Sequence, residues 1–456
     1  MERLMKRVAV IGGGASGMAA AITAAREGAA VTIIEHTSVL GKKLSATGNG
    51  RCNFTNQYLT KDCYRGENPA FWEAIIERFS PQDAIDFFAG LGVLAENKGG
   101  YVYPYSNQAA AVTGALITEL YALGVQVCFQ TEITRIQKRR GRFFLTGTQW
   151  VSVQNGAGSE KKDGRAGGRL QQKKETKEFA MECDRIILSC GSKAAPKTGS
   201  DGSGYHLAES LGHRIVPVLP ALVQLRCQGD FLKEWSGVRC QGRISLYSHK
   251  GLLAEDTGEL QLTEYGISGI PVFQVSRFGA EMLSKGRQVT ARLNFLPRLD
   301  EKEVEKLLRK TISCSGRDCP GKWLSGILPG KLIPVILAQA GITGKAMERR
   351  VSSPLTEKYI FSLVQALTDF QIPVTATNTF DQAQVCAGGV DTREVTENCQ
   401  SKLWPGVYVT GELLDVDGIC GGYNLHFAWA TGIAAGKSAG RAVQNQTRFC
   451  MVTIHE

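Results

Sequence analysis

The sequence has no pair of cysteines in a CxxC spacing, although it contains 13 cysteines in 456 residues. Scattered cysteines of this kind are typical of a reduced protein, in which thiols serve mostly as small buried hydrophobic groups. No apolar run approaches the length of a membrane span, and the residues before the first strand, Met1–Arg7, are too few for a signal peptide. We therefore expect a cytoplasmic protein without a membrane partner, acting as a monomer.

Histidine is scarce as well. The six histidines form no cluster with cysteine in a metal-ligand spacing, so the sequence predicts no metal site. Charged residues make up 21% of the chain and hydrophobic residues 43%, which are ordinary values for a globular protein. The formal net charge of +10 favours a polyanionic partner over a neutral one.

Glycine, in contrast, is abundant, with 52 residues, and its most informative cluster follows the first strand. The apolar run Val8–Ile11 leads into a GxGxxG fingerprint, Gly12–Gly17, and then into an Ala-rich stretch, Met18–Glu27, that favours a helix. The three glycines of such a fingerprint permit a tight turn, a close approach to a pyrophosphate and close packing of helix on strand. The helix N-terminus then offers free N–H groups to the phosphates. The segment predicts a dinucleotide site, with a purely structural turn as the alternative.

A second apolar strand, Val31–Ile34, ends at Glu35. An acid at this position accepts hydrogen bonds from the adenosine ribose. The basic, Gly-rich loop over residues 41–53 follows, and we expect it to pass the pyrophosphate and reach the reactive ring of the cofactor. A solvated surface loop is the alternative.

These motifs resemble the BaiN/RdsA (YhiN-like) family of FAD-dependent oxidoreductases. The matching segments run along nearly the whole chain and are Gly12–Gly17, Gly41–Lys43, Thr47–Asn56, Ser189–Ser192, Gly258-Glu259, Gly266–Gly269, Gly388–Val390 and Gly411–Asn424. The resemblance implies that the cofactor is FAD and that it is held from both ends of the sequence. It also implies that Asp415 or Glu412 holds the ribityl chain, and that the helix after Asn424 points its N-terminus at the pyrimidine end of the flavin.

The predicted cofactor-binding residues come from both of these regions and from one central strand end. They are Gly12, Gly14, Ala15, Ser16, Gly17, Glu35, His36, Lys42, Lys43, Gly48, Asn49, Gly50, Arg51, Cys52, Asn53, Gly191, Gly411, Glu412, Asp415, Gly421, Gly422, Tyr423 and Asn424.

The expected fold is α/β, with a glutathione-reductase-like Rossmann FAD-binding domain, an inserted β-barrel-like domain and a helical subdomain. We assign residues 1–214 and 381–456 to the FAD domain, 215–298 and 368–380 to the β-domain, and 299–367 to the helical subdomain. We expect antiparallel strands over 124–136 and 142–153, and a mobile hairpin insertion over 154–178 that either contacts RNA or is simply a flexible loop. The active site should lie between the two larger domains.

Two familiar redox layouts are missing. No second GxGxxG follows a strand, so no dedicated NAD(P)H domain is visible, and any nicotinamide donor must reach the flavin through the substrate cleft. Cys52 has no partner in the Cys-x4-Cys spacing of glutathione reductases, and Cys314 and Cys319, which do have this spacing, lie in the predicted helical region. We therefore exclude a dithiol mechanism.

Hydride transfer between flavin and substrate remains, and reducing an activated C=C bond also needs a proton from a nearby acid. Cys52 is the candidate acid, with Cys386 and Cys420 as competitors, although a purely structural role is the alternative for each. If Cys52 is the acid, its replacement by Ala should abolish turnover and leave FAD bound.

The resemblance supplies two substrate classes. The first prediction is reduction of uridine to dihydrouridine in 23S rRNA with NAD(P)H, which the net charge and the basic stretches 138–140 and 161–177 favour. A buried uridine would have to be extruded from the RNA fold to react. The alternatives are reduction or oxidation of a small molecule, such as a bile-acid-type enone, and a non-catalytic FAD-containing factor associated with the ribosome.

Overall fold

The structure, a computed structural model, describes residues 5–153, 173–314, 320–344 and 356–441. The helices are α1 Ala15–Arg26, α2 Lys42–Gly50, α3 Pro69–Arg78, α4 Pro81–Ala89, α5 Ala109–Ala122, α6 Ser203–Ser210, α7 Ile270–Ser284, α8 Glu301–Cys314, α9 Leu332–Gln339, α10 Glu357–Thr368 and α11 Tyr423–Gly440. The strands are β1 Arg7–Ile11, β2 Ala30–Ile34, β3 Thr55–Asn56, β4 Tyr64–Arg65, β5 Ala95–Lys98, β6 Tyr101–Pro104, β7 Gln126–Cys128, β8 Thr131–Arg139, β9 Arg142–Val153, β10 Lys173–Cys183, β11 Arg185–Leu188, β12 Ile215–Ala221, β13 Leu225–Cys227, β14 Arg239–Ser248, β15 Gly251–Thr263, β16 Gly266–Ser268, β17 Val289–Asn294, β18 Phe370–Thr377, β19 Val385–Val390, β20 Val407–Val409 and β21 Asp417–Gly418.

The first layer is a parallel sheet in the order β20-β11-β1-β2-β7. Its strands are short and almost wholly apolar, as β1 (RVAVI) and β2 (AVTII) illustrate, because α1 and α11 pack against them and the antiparallel strands β8, β9 and β10 also contact them. All five strands are parallel, so their carboxyl ends meet at one edge. Residues that follow β1, β2 and β11 therefore converge there, which is where open α/β sheets bind ligands.

The second layer is a closed six-stranded antiparallel barrel in the order β13-β16-β15-β14-β17-β18. It has its own buried core, in which Trp235, Phe370 and Leu246 take part, and α7 packs against it. The helices α8, α9 and α10 lie between β17 and β18 in the chain. The expected combination of a Rossmann domain, a barrel and a helical region is confirmed.

Several local expectations are wrong in part. The segment β7, predicted to be antiparallel, pairs in parallel with β2, whereas β8 and β9 are antiparallel as expected. The strand β12, assigned to the β-domain, pairs with β19 in a separate ribbon outside the barrel. Of the predicted insertion, residues 154–172 lie outside the described part of the chain, and Lys173–Glu178 belong to β10.

The basic loop after Glu35 also differs from expectation. Residues Lys42–Gly50 form α2, whose helical course is interrupted from Thr47 to Asn49. The backbone at Asn49 has a φ of 55° and at Cys52 a φ of 60°, in the left-handed region that non-glycine residues seldom occupy. The motif therefore forms a helical turn followed by a sharp bend.

The helices α1 and α11, from opposite ends of the sequence, lie against each other in the same direction. Glycines of α11 face the backbone of α1: an added Cβ at Gly432 would lie 2.4 Å from the Ser16 carbonyl oxygen, and one at Gly436 would lie 2.5 Å from that of Ala20. Gly440 repeats the contact one turn later, at Ala24. Because Gly432 faces Ser16, α11 begins about eight residues, or about 12 Å, before α1 along their common direction.

The first turn of α11 is fixed by a buried histidine. His426 is fully buried; its Nδ1 lies 2.8 Å from Thr55 Oγ1 and its Nε2 lies 2.9 Å from the Phe79 carbonyl oxygen. Since that carbonyl accepts only, Nε2 carries the proton and Nδ1 accepts from the threonine hydroxyl. Burial lowers the pKa of His426 to about 4. The imidazole is therefore neutral at physiological pH.

Because His426 is buried and neutral, we expect the protein to lose stability in acid. The unfolded chain takes up the proton near pH 6.5, whereas the folded protein takes it up only near pH 4. The contribution of the neutral histidine to the unfolding free energy is therefore complete above pH 6.5 and is lost as the pH falls towards 4. We expect this group to remove up to about 3 kcal/mol of unfolding free energy over that window. Urea titrations of the wild type and His426→Gln at several pH values give the unfolding free energy of each protein as a function of pH. If the unfolding free energies of the two proteins changed equally with pH, the prediction would be contradicted.

Candidate cofactor site and active site

A cleft with about 1050 Å³ of empty space lies at the carboxyl edge of the parallel sheet. Its walls come from the turn after β1, the end of β2, the start of α2, the segment after β11 and the first turns of α11. The cleft thus runs from Glu35 across the N-terminus of α1 to the N-terminal turns of α11. That volume includes space open to the solvent, so the site is an open cleft and not a closed cavity.

The fingerprint glycines play different roles in this cleft. An added Cβ at Gly12 would lie 2.4 Å from the Ser189 carbonyl oxygen, and one at Gly17 would lie 2.0 Å from the Gly12 carbonyl oxygen. Both glycines therefore permit close packing of strand, turn and helix. Gly14 instead has no atom within 4 Å of such a Cβ, and it lines the cleft. No side chain caps α1, so its first N–H groups are left for a ligand.

Glu35 lies directly beside the fingerprint, just after the end of β2. Its side chain is held by two backbone donors, because the N–H of Gly13 donates to Oε2 over 2.8 Å and the N–H of Thr37 donates to Oε1 over 2.7 Å. The carboxylate is buried yet lines the cleft. Each oxygen keeps a second lone pair, so the fixed carboxylate can still accept hydroxyl groups of a ribose.

Lys43, Ser192 and Glu412 form a polar group near the middle of the site. The ammonium of Lys43 lies 2.7 Å from Glu412 Oε2, and the hydroxyl of Ser192 donates to the same oxygen over 2.8 Å. Lys42 also lines the cleft and donates to the Lys197 carbonyl oxygen. Lys42 and Lys43 line the same cleft as Gly14, where Lys42, and Lys43 in part because it is paired with Glu412, would offset the charge of a pyrophosphate.

The motif Thr47–Asn56 mainly holds the start of α11. The Asn56 amide donates to the Gly421 carbonyl oxygen over 2.9 Å, and the Trp429 indole donates to that of Phe54 over 3.0 Å. Asn53 Oδ1 is buried without a hydrogen-bond partner, and an added Cβ at Gly422 would lie 2.9 Å from it. An orphaned buried acceptor beside a helix N-terminus fits a site that a polar ligand completes.

The structure brings about half of the predicted cofactor residues together in this cleft. Those that line it are Gly12, Gly14, Ala15, Ser16, Glu35, His36, Lys42, Lys43, Gly191, Glu412 and Asn424. Those that do not are Gly17, Gly48, Asn49, Gly50, Arg51, Cys52, Asn53, Gly411, Asp415, Gly421, Gly422 and Tyr423. Of the two acids proposed for the ribityl chain, only Glu412 faces the cleft, since Asp415 accepts from the N–H of Glu67. Contact of any of these residues with FAD stays a prediction.

Sequence reasoning missed one wall of the cleft. Thr131, Glu132 and Ile133 at the start of β8 and Thr198–Ser200 after β11 also line it, near Glu35 and His36. The parallel order of the sheet was the signal for the second group, because β11 lies beside β1 and the segment after β11 must reach the same edge.

The thiol of Cys52 is fully buried, and burial raises its pKa to about 12. A general acid has to reach the substrate and to release its proton near neutral pH. Burial also raises the pKa of Cys386 to about 11 and that of Cys420 to about 12. The structure therefore does not favour Cys52 as the acid, and it favours neither competitor.

Replacement of Cys52 by Ala tests this directly. Loss of a general acid costs about 10²–10⁴-fold in turnover. Because the thiol has no exposed surface, we expect Cys52→Ala to keep its flavin and to lose less than about tenfold in turnover. Steady-state rates, normalised to flavin content, measure the effect. A loss of a hundredfold or more at full flavin content would restore Cys52 as the acid.

The described residues hold neither a candidate group of metal ligands nor a disulfide. No group of three or more histidine, cysteine or acidic residues is placed to hold a metal ion there. The cysteines described by the structure are all free, and Cys319 lies outside the described residues. No helix of the described part is long and apolar enough to cross a membrane.

The parallel sheet, the fingerprint with its open glycine and the second helix N-terminus together define an FAD-dependent oxidoreductase of the Rossmann class. The comparison with known families agrees. The HI0933-like protein Rossmann domain family matches residues 6–156 and 150–438, and the chain belongs to this family.

Two relatives and one solved structure are similar to this chain. A 3-dehydro-bile acid delta(4,6)-reductase of Clostridium scindens is 41% identical over 95% of this chain and 99% of its own length. A ribosomal RNA dihydrouridine synthase of Haemophilus influenzae is 26% identical over 95% of this chain and 98% of its own length. A solved 3-ketosteroid-delta4-(5alpha)-dehydrogenase of Rhodococcus jostii aligns with 97% of this chain and 99% of its own, at 15% identity and a TM-score of 0.45.

Proposed function

We propose that the protein reduces a C=C bond conjugated with a ketone in a steroid-like small molecule, with electrons drawn from NAD(P)H. The observation that carries the proposal is the 41% identity to a bile acid reductase over almost the full length of both chains. The sequence alone ranked uridine in 23S rRNA first. We now rank the steroid-like substrate above uridine, because the chain is 41% identical to the bile acid reductase and only 26% identical to the ribosomal RNA dihydrouridine synthase.

The junction between the two larger layers supports an apolar substrate. Leu222, Val385 and Ala387 are buried there and pack with Phe273 of α7 and with Cys420, just before the start of α11. Of this cluster only Phe273 and Cys420 keep part of their surface exposed, so a flat hydrocarbon skeleton entering beside α11 would contact these two side chains and be stabilised by burial of its surface.

Bound FAD would supply the hydride for the β-carbon of the enone. The chain would supply the binding: the N-terminus of α1, Lys42 and Glu35 all line the cleft, where the first two would face the phosphates of FAD and Glu35 would face its ribose. Lys43 and Ser192 hold the Glu412 carboxylate in one position, so its charge is oriented before any ligand arrives. The N-terminus of α11, which no side chain caps, stabilises negative charge that develops near it.

The experiment uses the FAD-loaded protein under anaerobic conditions. Flavin reduced by dithionite should be reoxidised on addition of a 3-oxo-4,6-diene bile acid, and mass spectrometry should find product that has gained two hydrogens. A saturated 3-oxo bile acid is the control and should leave the flavin reduced. Persistence of reduced flavin with the diene as well would contradict the proposal.

Reduction of uridine in rRNA is the second candidate. It is favoured by the ribosomal RNA dihydrouridine synthase among the relatives and by the net charge of +10. Part of the basic stretch at the β8–β9 turn is engaged within the protein, since Lys138 lies 5.0 Å from the centre of the Phe143 ring and donates to the Pro405 carbonyl oxygen. Mapping dihydrouridine in 23S rRNA from cells lacking the protein tests this candidate. An unchanged map would exclude it.

A further inference from the structure

A small sheet beside the start of α11 exposes an unusual number of aromatic side chains. The sheet has the order β3-β6-β5, and Tyr101 and Tyr103 point to one face of β6 while Val102 is buried on the other. Tyr101 is 45% exposed, Tyr105 is 64% exposed, and Tyr58 is 70% exposed. We call Tyr58, Tyr101, Tyr103 and Tyr105 the tyrosine face. Clustered exposed aromatic groups of this kind mark interaction sites.

The tyrosine face borders the loop that opens α11. An added Cβ at Gly421 would lie 3.1 Å from the ring of Tyr101, and the Asn56 amide binds the Gly421 carbonyl oxygen. The hydroxyl of Tyr423 donates to the Tyr58 carbonyl oxygen over 2.9 Å. The face is therefore attached to the first residues of α11, next to the end of the cofactor cleft.

Two cations flank this face. The Arg51 guanidinium lies 5.6 Å and the Lys98 ammonium 5.8 Å from the centre of the Tyr103 ring. The Lys98 ammonium forms an ion pair with Glu96 Oε2 over 2.9 Å. Arg51, in contrast, forms no ion pair within the described part of the chain and donates only to the Gly48 carbonyl oxygen. Positive charge thus remains at the rim of an aromatic surface.

We propose that the tyrosine face, with Arg51 and Lys98, is the docking site of the nicotinamide dinucleotide that reduces the cofactor. The adenine would stack on the exposed tyrosines, and the phosphates would lie against the two cations. Stacking rings beside Arg51, which has no ion pair in the described residues, and Lys98, which is paired with Glu96, suit a nucleotide better than an uncharged steroid, which gains nothing from the cations. The inference rests on the proposed function only in taking NAD(P)H as the electron donor.

The fold provides a reason for such a separate site. The described residues contain one parallel sheet, whose carboxyl edge is taken by the FAD cleft, and an antiparallel barrel without a fingerprint. The donor passes a hydride, with two electrons, from its nicotinamide C4 to the flavin and leaves as NAD(P)⁺, while a proton from solvent completes the reduced flavin. The hydride and a proton then pass to the C=C bond of the substrate.

The test combines direct binding with separated half-reactions. The Tyr105→Ser/Lys98→Gln protein, loaded with FAD, is compared with the wild type and with Tyr121→Ser/Lys285→Gln, which alters a similarly exposed tyrosine on α5 and the lysine that directly follows α7. Calorimetry with NADP⁺ and with NAD⁺ measures donor binding without any substrate. Stopped-flow bleaching of the flavin by NADPH and NADH, under anaerobic conditions, measures the reductive half-reaction.

We expect the dissociation constant of whichever dinucleotide the wild type prefers to rise about tenfold in Tyr105→Ser/Lys98→Gln and to stay unchanged in the control variant. Reoxidation of dithionite-reduced flavin by the diene should be equal in all three proteins. Unchanged donor binding would overturn the proposal, as would absence of NADP⁺ and NAD⁺ binding to the wild type. Impaired reoxidation with unchanged donor binding would assign the face to the substrate instead. Failure of the diene to react leaves the donor measurements intact, so the two proposals fail separately.

Discussion

Gly14→Asp is expected to yield a folded protein that purifies without flavin. The site of the new side chain is open: no protein atom lies within 4 Å of a Cβ at Gly14, and its φ of −81° suits any residue. The carboxylate would therefore enter the cleft at the N-terminus of α1, where we place the pyrophosphate. Like charges in contact there cost a few kcal/mol, so we expect FAD affinity to fall at least about 100-fold.

The matched control is Gly114→Asp. Gly114 also has no atom within 4 Å of an added Cβ, but it lies on the exposed side of α5, away from the cleft. Flavin content after reconstitution with FAD, and circular dichroism for both variants, are the measurements. If Gly14→Asp binds FAD as the wild type does, the cofactor lies elsewhere and the fingerprint is only a turn.

The second large effect is a loss of stability when the ion pair between the barrel and the Rossmann part of the fold is broken. Arg277 of α7 donates to Asp417 of β21 over 2.9 Å, and Asp417 is 4% exposed. Burial raises the pKa of Asp417 to about 6 even though Arg277 and Arg65 lower it, and neighbouring Asp415 raises it further. Removing the arginine charge leaves a buried carboxylate without its partner, which costs about 3–5 kcal/mol.

The loss of unfolding free energy in Arg277→Met should depend on pH. The protonation of the Asp417 carboxyl group determines whether this loss grows or shrinks as the pH rises. Without Arg277 the folded-state pKa of Asp417 rises above 6, so the folded variant keeps a proton that the folded wild type releases. Below pH 5 both folded proteins hold that proton and the variant loses only packing and one hydrogen bond. Above pH 6 the gap in unfolding free energy should widen by about 1.4 kcal/mol per pH unit until the variant also titrates.

Chemical denaturation of Arg277→Met between pH 5 and pH 8 measures this gap. The same substitution in an Asp417→Asn background is the control, because the amide does not titrate and the gap should then be flat. A gap that does not change with pH in the Asp417 protein would mean that the pair is not buried as described.

The Rossmann part of the fold could be predicted because local signals carried it. Val8–Ile11, the glycines after it and the acid at Glu35 each match one local requirement of a strand, a tight turn or a ribose contact, and each lies where it was expected. The barrel was predictable as a class from its recurring short strands. Its strand order was not, because β13 pairs with both β16 and β18, which come later in the chain.

The second half of the site could not be predicted from sequence alone. The motif Thr47–Asn56 reads as a ligand loop because it is basic and rich in glycine, yet several of its residues contact α11 instead. These contacts join residues far apart in the chain, and no local pattern encodes them. For the same reason burial of the Cys52 thiol, which depends on how the bend packs, was not visible in the sequence.

The row of glycines on α11, Gly432, Gly436 and Gly440, affects when the cleft can form during synthesis of the chain. Gly432, Gly436 and Gly440 seat the last described helix on α1, the first one, and the cleft uses the start of both. A chain that lacks α11 therefore lacks part of the wall of the cleft. We expect only chains synthesised through that helix to retain FAD.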